Sequence, residues 1–169
     1  RSPRTHSINT KMSAANGRLA GVVAIVTGGS QGFGAEIVRQ YSQEGAQVIS
    51  IDLSCSEEGP ISGLQNAVQM KGDVATAQTW QAAVDLAKKH FGKPPSVIVN
   101  NAGWTYSNKP TLDVTEEEFD RVFNVNVKSI YLCAKVLVPV MREARSGGSF
   151  IQISSTAAIR PRPQLTWCE

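Results

Sequence analysis

The stretch Thr27-Gly28-Gly29-Ser30-Gln31-Gly32-Phe33-Gly34 sits directly after an unbroken apolar run, Val22 to Val26, and directly before a helix-like stretch, Ala35 to Glu44. Few patterns constrain a fold more. A strand that feeds a helix through a glycine-rich turn aims several backbone amides at one point, at the positive end of the helix dipole, and a pyrophosphate fits there. Glycines at 28, 32 and 34 allow positive backbone dihedrals, admit phosphates close to the chain and let the helix pack tightly on the strand. A glycine triplet alone is equally at home in a hairpin or loop. The strand before and the helix after turn the reading toward dinucleotide binding, with Ser30, Gln31 and Phe33 as the remaining members of the turn.

The same alternation continues along the chain. Apolar runs at Val48 to Ile51, Val97 to Val99 and Phe150 to Ile153, with a weaker one near Ala67 to Met70, are short, β-branched and bounded by turn residues, as buried parallel strands are. Between them lie helical patterns: Ala35 to Glu44 closed by Gly45, Ala75 to His90 closed near Gly92, and a long one from Thr115 to about Arg145. Strand and helix taking turns predict an α/β class, a Rossmann-like doubly wound parallel sheet of about five strands in the order 3-2-1-4-5. Thr115 and Glu118 have capping-box spacing at the start of the long helix, and Glu116 and Glu117 suit its N-terminal dipole. Its inward face is expected to carry Phe119, Val122, Phe123, Ile130, Leu137 and Val138, and Pro139 is expected to kink or loosen its last turns.

With 169 residues and 41% apolar content the chain suffices for one domain with a real core. The formal charge is +3, but residues 1–18 hold Arg1, Arg4, Lys11 and Arg18 without an acid, leaving 13 basic against 14 acidic side chains beyond them. Residues 1–18 therefore read as a basic flexible leader and residues 19–169 as the dinucleotide-binding domain. The near-neutral balance of that domain argues against nucleic-acid binding. The leader is open to two readings, an organelle transit segment or an upstream extension before Met12 as the natural start. Cys55, Cys133 and Cys168 show no metal or disulfide spacing, and their scatter suits a reducing compartment, so a cytoplasmic location is expected and no metal. No apolar run approaches the roughly 20 residues of a membrane span.

The spacing Thr-Gly-x-x-x-Gly-x-Gly resembles that of the classical short-chain dehydrogenase/reductase family. Asn100-Asn101-Ala102-Gly103, which closes the fourth strand, is the second point of resemblance, although by itself it is simply good turn chemistry. The resemblance implies that Asn101 braces the sheet while Ala102 and Gly103 lie along the cofactor. It also matches Asp73, followed by Val74, to the family's acid near the adenine; a helix N-cap is the competing reading of Asp73. Asp52 ends the second strand, 18 positions after Gly34, near the roughly 20 at which a dinucleotide fold places an acid on the ribose hydroxyls. An ordinary strand-end Asp in a turn is its alternative. No Arg or Lys adjoins Ser30, Gln31 or the residues just after Asp52, so NAD(H) is favoured over NADP(H).

Asn126 matches the family's helix asparagine, implicated in a water-linked proton relay, with a solvated polar face as the competing reading and Asn124 as the ordinary neighbour. Ser155 resembles the serine that hydrogen-bonds the substrate oxygen; Ser154 is its rival. Trp104 and Tyr106 are candidates for the substrate pocket. The pattern then breaks, because the serine-to-tyrosine spacing of the family leads to Cys168, and no Tyr-x-x-x-Lys follows. Hydride transfer to a ketone leaves an alkoxide to be protonated, and loss of the general acid costs about 10² to 10⁴ in rate. Cys168 is shorter than tyrosine and is expected to sit on a frayed segment.

Two classes of function follow. In the first, the chain is the N-terminal part of an oxidoreductase that exchanges hydride between NAD(H) and a small-molecule alcohol or ketone, itself impaired or inactive. In the second it is a noncatalytic fragment that binds dinucleotide or pairs with intact subunits. A third reading, an incomplete coding sequence that does not fold stably, also stands. The sheet is expected to be incomplete on its C-terminal side, with the fifth strand an exposed edge. The homo-oligomers that the resemblance implies use the long helix and a following one not found in this chain.

Overall fold

The computed structural model of the chain describes residues 17–56 and 58–168. Five strands, β1 (Val23–Thr27), β2 (Gln47–Asp52), β3 (Ala67–Lys71), β4 (Val97–Asn100) and β5 (Ser149–Gln152), form one sheet in the order β3-β2-β1-β4-β5. Every pairing is parallel. The expected class, strand number and order are all observed. β1 begins and ends one residue later than the apolar run suggested, because Thr27 still pairs with Ile51. All five β1 residues are buried, as a central strand covered on both faces requires.

Helix α1 (Gly32–Gln43) lies on one face, where Val26, Val38, Val48 and Val99 form a core cluster. Helix α2 (Ala77–Phe91) and the long helical segment lie on the other, around Ile25, Ile49, Trp80, Ile98, Cys133 and Leu137. Alternate residues of each strand serve opposite faces, so Ile25 and Val26 belong to different clusters. Gly92, at φ 72°, closes α2, with its amide donating to the Lys88 carbonyl. A left-handed residue there stops the helix at little cost only if it lacks a Cβ.

The long segment is not one regular helix. It divides into α3 (Glu116–Phe123), a wide π turn (Asn124–Lys128) and α4 (Ser129–Glu143). The expected capping box is present: Glu118 N donates to Thr115 Oγ1 and Thr115 N to Glu118 Oε2. The predicted inward face needs correction. Val122 and Leu137 are buried, but Phe123 and Val138 are 41% and 39% exposed, and the sheet-facing residues of α4 are instead Leu132, Cys133, Leu137 and Met141. The π turn inserts an extra residue per turn and so shifts the phase of everything after it, which a constant helical period cannot anticipate. Pro139 does not end the helix either; α4 continues through it to Glu143, and the irregularity falls a dozen residues earlier.

Glu116–Glu143 is 28 residues long and apolar enough by length and composition to cross a membrane, which scanning for an unbroken apolar run had not registered. Its buried side chains pack against the sheet and α2. β5 lies at the sheet edge, with Ile151 and Ile153 exposed, as expected. Of the expected leader, residues 1–16 lie outside the described residues; Arg18 is ion-paired with Glu44 at 2.9 Å.

Candidate active site

The glycine turn joins β1 to α1 beside the point where the order of the strands reverses, since β1 has β2 on one side and β4 on the other. Gly28 and Gly32 take φ of 64° and 53°, so both use the left-handed region. Gly34 serves the other purpose: a Cβ there would run into the Gly28 carbonyl and lie 2.6 Å from Asn101 Nδ2. Gly29, which the sequence reading passed over, is also fixed by packing, because a Cβ would strike the buried Ser50 side chain.

Two buried side chains hold the turn. Thr27 Oγ1 accepts from the amides of Asn101 and Ala102, at 3.0 and 2.9 Å. Asn101 Nδ2 donates back to the Thr27 and Gly28 carbonyls, at 2.8 and 3.2 Å. The first strand-to-helix turn is thereby bolted to the loop after β4. Thr27 was seen in the sequence only as part of the motif; its bridging role depends on a pairing across 74 residues that no local pattern reveals.

The helix that follows is open at its start. Thr76 caps α2 and Thr115 with three glutamates caps α3, whereas Gln31 makes no side-chain bond at the head of α1 and no acid stands in its first turn. Its N-terminal amides and positive dipole end are left for something else.

This turn opens on a cleft of about 500 Å³. Gly28, Gln31, Phe33 and Gly34 form one wall, Asp52, Asp73 and Val74 a second, and Asn101, Ala102 and Gly103 the floor toward β4. Phe33 is 82% exposed at the mouth. Ser30 contributes by holding the acid: its amide donates to Asp52 Oδ2 at 3.1 Å and its hydroxyl to the Ser54 carbonyl at 2.8 Å. Gly32 faces open space. Asp73 is not the cap of α2, which is Thr76; its carboxylate instead accepts from the Ala75 amide at 2.8 Å in a local turn. Trp104 and Arg121 complete the cleft on the far side. Arg121 had no signature in the sequence as a site residue, because α3 brings it in from a distant segment.

Beyond Gly103 and Trp104 lie two adjoining clefts of about 200 and 340 Å³, and Asn126, Ser155 and Cys168 line both. The three positions singled out for chemistry are thus brought together. Asn126 sits in the π turn, with Oδ1 accepting from the Trp104 amide at 2.8 Å and Nδ2 donating to its carbonyl at 3.0 Å. Ser155 Oγ accepts from the Ala157 amide at 3.2 Å, capping a short 3-10 turn. Ser154 lines only the larger cleft. Asn100 Oδ1 is buried beneath it without a hydrogen-bond partner among the described residues. Burial pushes the thiol of neighbouring Cys133 up to about 12, with the Asn100 amide pulling the other way.

Cys168 is not frayed. Its Sγ accepts from Thr105 Oγ1 at 2.9 Å and donates to the Leu165 carbonyl at 3.1 Å. Its segment is held by Phe119 edge-on to Trp167 at 5.4 Å and by the Lys109 amide donating to the Gln164 carbonyl. Tyr106, expected at the pocket, is instead buried with Val122 and Leu165, and its hydroxyl accepts from the Trp167 amide at 3.1 Å.

A parallel sheet in this order, helices on both faces and a glycine turn at the reversal define the Rossmann-like class. The chain belongs to the short-chain dehydrogenase family, whose family model, described as short chain dehydrogenase, matches residues 22–167. It is 43% identical to the 4-formylbenzenesulfonate dehydrogenase of Comamonas testosteroni over 150 residues, covering 86% of this chain and 59% of that one. It is 36% identical to the secoisolariciresinol dehydrogenase of Forsythia intermedia over 147 residues, covering 84% and 51%. Among solved structures, a 3-ketoacyl-(acyl-carrier-protein) reductase from Brucella melitensis complexed with NADH superposes with a TM-score of 0.82 at 33% identity, covering 89% of this chain and 63% of that one. The chain therefore spans between half and two thirds of the length of these relatives.

Proposed function

We propose that the chain is the dinucleotide-binding part of an oxidoreductase that exchanges hydride between NAD(H) and an alcohol or ketone. The observation that carries this reading is the open head of α1 above three glycines: one helix N-terminus without a cap, facing a cleft shaped by Gly28, Gly32 and Gly34. Those residues fit a diphosphate, which needs backbone donors at close approach. Asp52, set by the Ser30 amide, suits the adenosine ribose hydroxyls and opposes a 2′-phosphate, which supports NAD(H) over NADP(H). Asp73 and Val74 would flank the adenine, and Ala102 and Gly103 would lie along the cofactor toward the second pair of clefts. When bound, the nicotinamide supplies the hydride chemistry.

The residues around the reacting position are incomplete for proton transfer. Ser155 would hold the substrate oxygen. The Asn126 amide, engaged on both ends by Trp104, would keep the loop between cofactor and substrate in place. Cys168 stands where a general acid is wanted, yet its thiol hydrogen is directed at the Leu165 carbonyl. We therefore expect cofactor binding without sustained turnover by this chain. The exposed Ile151 and Ile153 on edge strand β5 favour a second reading, a fragment that pairs with other subunits. A fluorescence titration should show saturable NADH binding, with NADPH weaker by about tenfold, the scale of one opposed charge. No binding of either would refute the site, and steady-state oxidation of secondary alcohols would refute the inactivity.

A further inference from the structure

Asp52 and Asp73 put two carboxylates into the wall of the large cleft, and the proposed ligand brings a diphosphate with two more negative charges. Among the described residues the one cationic side chain lining that cleft is Arg121, from the last turn of α3. Its guanidinium carbon lies 4.3 Å from the centre of the Trp104 ring, within the range of a cation–π contact. Trp104 is itself fixed, because Asn126 takes both its backbone amide and its carbonyl. No carboxylate forms an ion pair with Arg121 among the described residues. The charge is steadied by a ring and left un-neutralised, where a carboxylate partner would have spent it.

The geometry points to Arg121 as a further ligand-binding residue, a stacked cation that offsets the charge of the dinucleotide's phosphates opposite Asp52 and Asp73. This rests on the dinucleotide reading above. It also explains how a cleft with two acids and no local lysine or arginine beside its glycine turn can attract an anion. The helix dipole contributes only about half a charge, and Arg121 adds a whole one without contacting the turn itself. Placement on the far wall keeps the cation away from the Asp52 end, so the hydroxyl preference there is preserved.

Calorimetric or fluorescence titrations of NADH and of adenosine, at low and moderate salt, test this on the wild-type chain and on R121Q, R121K and W104L. R121Q should bind NADH about five- to tenfold more weakly at low salt and with a flatter salt dependence, because an exposed charge interaction is screened over roughly 10 Å at 0.1 M. Adenosine, which lacks phosphate, should bind R121Q and wild type alike. R121K should retain the salt dependence while losing part of the affinity, and W104L, which releases the guanidinium, should lose about two- to threefold. Equal NADH affinity and salt dependence in R121Q and wild type would overturn the assignment. So would an equal loss for adenosine and NADH, which would mark Arg121 as structural. If wild type binds neither ligand, the dinucleotide reading itself fails, and this inference fails with it.

Discussion

The two ends of the cleft system are built by opposite means. On the β1–β2 side, the ligand-facing surface is backbone: glycine amides at an uncapped helix, clamped by the buried Thr27 and Asn101 side chains. On the β5 side it is side chains, Ser155 and Cys168, carried on short 3-10 turns next to an edge strand with apolar groups in solvent. The first arrangement cannot lose an atom without moving the main chain. The second can exchange side chains at little structural cost, which is where this chain departs from its family.

The sharpest way to break that contrast is Gly34→Val. A branched side chain there has to displace the Gly28 carbonyl and the Asn101 amide, so NADH binding should vanish and the melting temperature should fall by several degrees or more. Unchanged affinity would mean that the turn is softer than its packing implies. Asn101→Ala comes next. It leaves the Thr27 and Gly28 carbonyls without their donor, and chemical denaturation should record a loss of about 1–3 kcal/mol. If the loss is no greater than for Ser155→Ala, the two ends do not differ in the way described.

Cys133 tests the floor between the two ends by pH. An ordinary thiol ionises near 9, and burial holds this one up to about 12. The folded form keeps a proton that the unfolded form gives up, so the stability due to this group is intact below pH 9 and is lost as pH rises toward 12. Urea midpoints at pH 8 and pH 10.5 should converge between wild type and Cys133→Ala; parallel behaviour would show that the thiol is not shielded. The smallest effect is expected at the β5 end, where Ser155→Ala should shift stability by less than about 0.5 to 1 kcal/mol, since it removes one partly exposed turn cap.

The parts of the molecule that sequence could reveal are those whose cause is local. β1, the glycine turn and α1 follow one another without interruption, and their physics is contained in a dozen residues. The capping box at Thr115 is equally local, and so is the stop at Gly92. What escaped notice depends on partners distant in the chain: the Thr27 bridge to Asn101 and Ala102, the burial of Tyr106 under Trp167, and the arrival of Arg121 over Trp104. The π turn escaped for a different reason. Period-counting assumes a constant 3.6 residues per turn, so a single wide turn sends each later residue to the wrong face, as it did for Val138.

That wide turn has a consequence for how this chain can change. Residues before Asn124 answer to the loop of Trp104 and to Trp167, and residues after Lys128 answer to the sheet through Leu132, Cys133 and Leu137. One surplus residue between them lets each half obey its own neighbours without rotating the other. Deleting a single residue from Asn124–Lys128 would merge the halves into one continuous screw, about 100° out of step on one side or the other. Either α4 would lose its seat on the sheet or Arg121 would swing off its ring. Substitutions in this stretch can therefore be absorbed one at a time, whereas a change of length cannot.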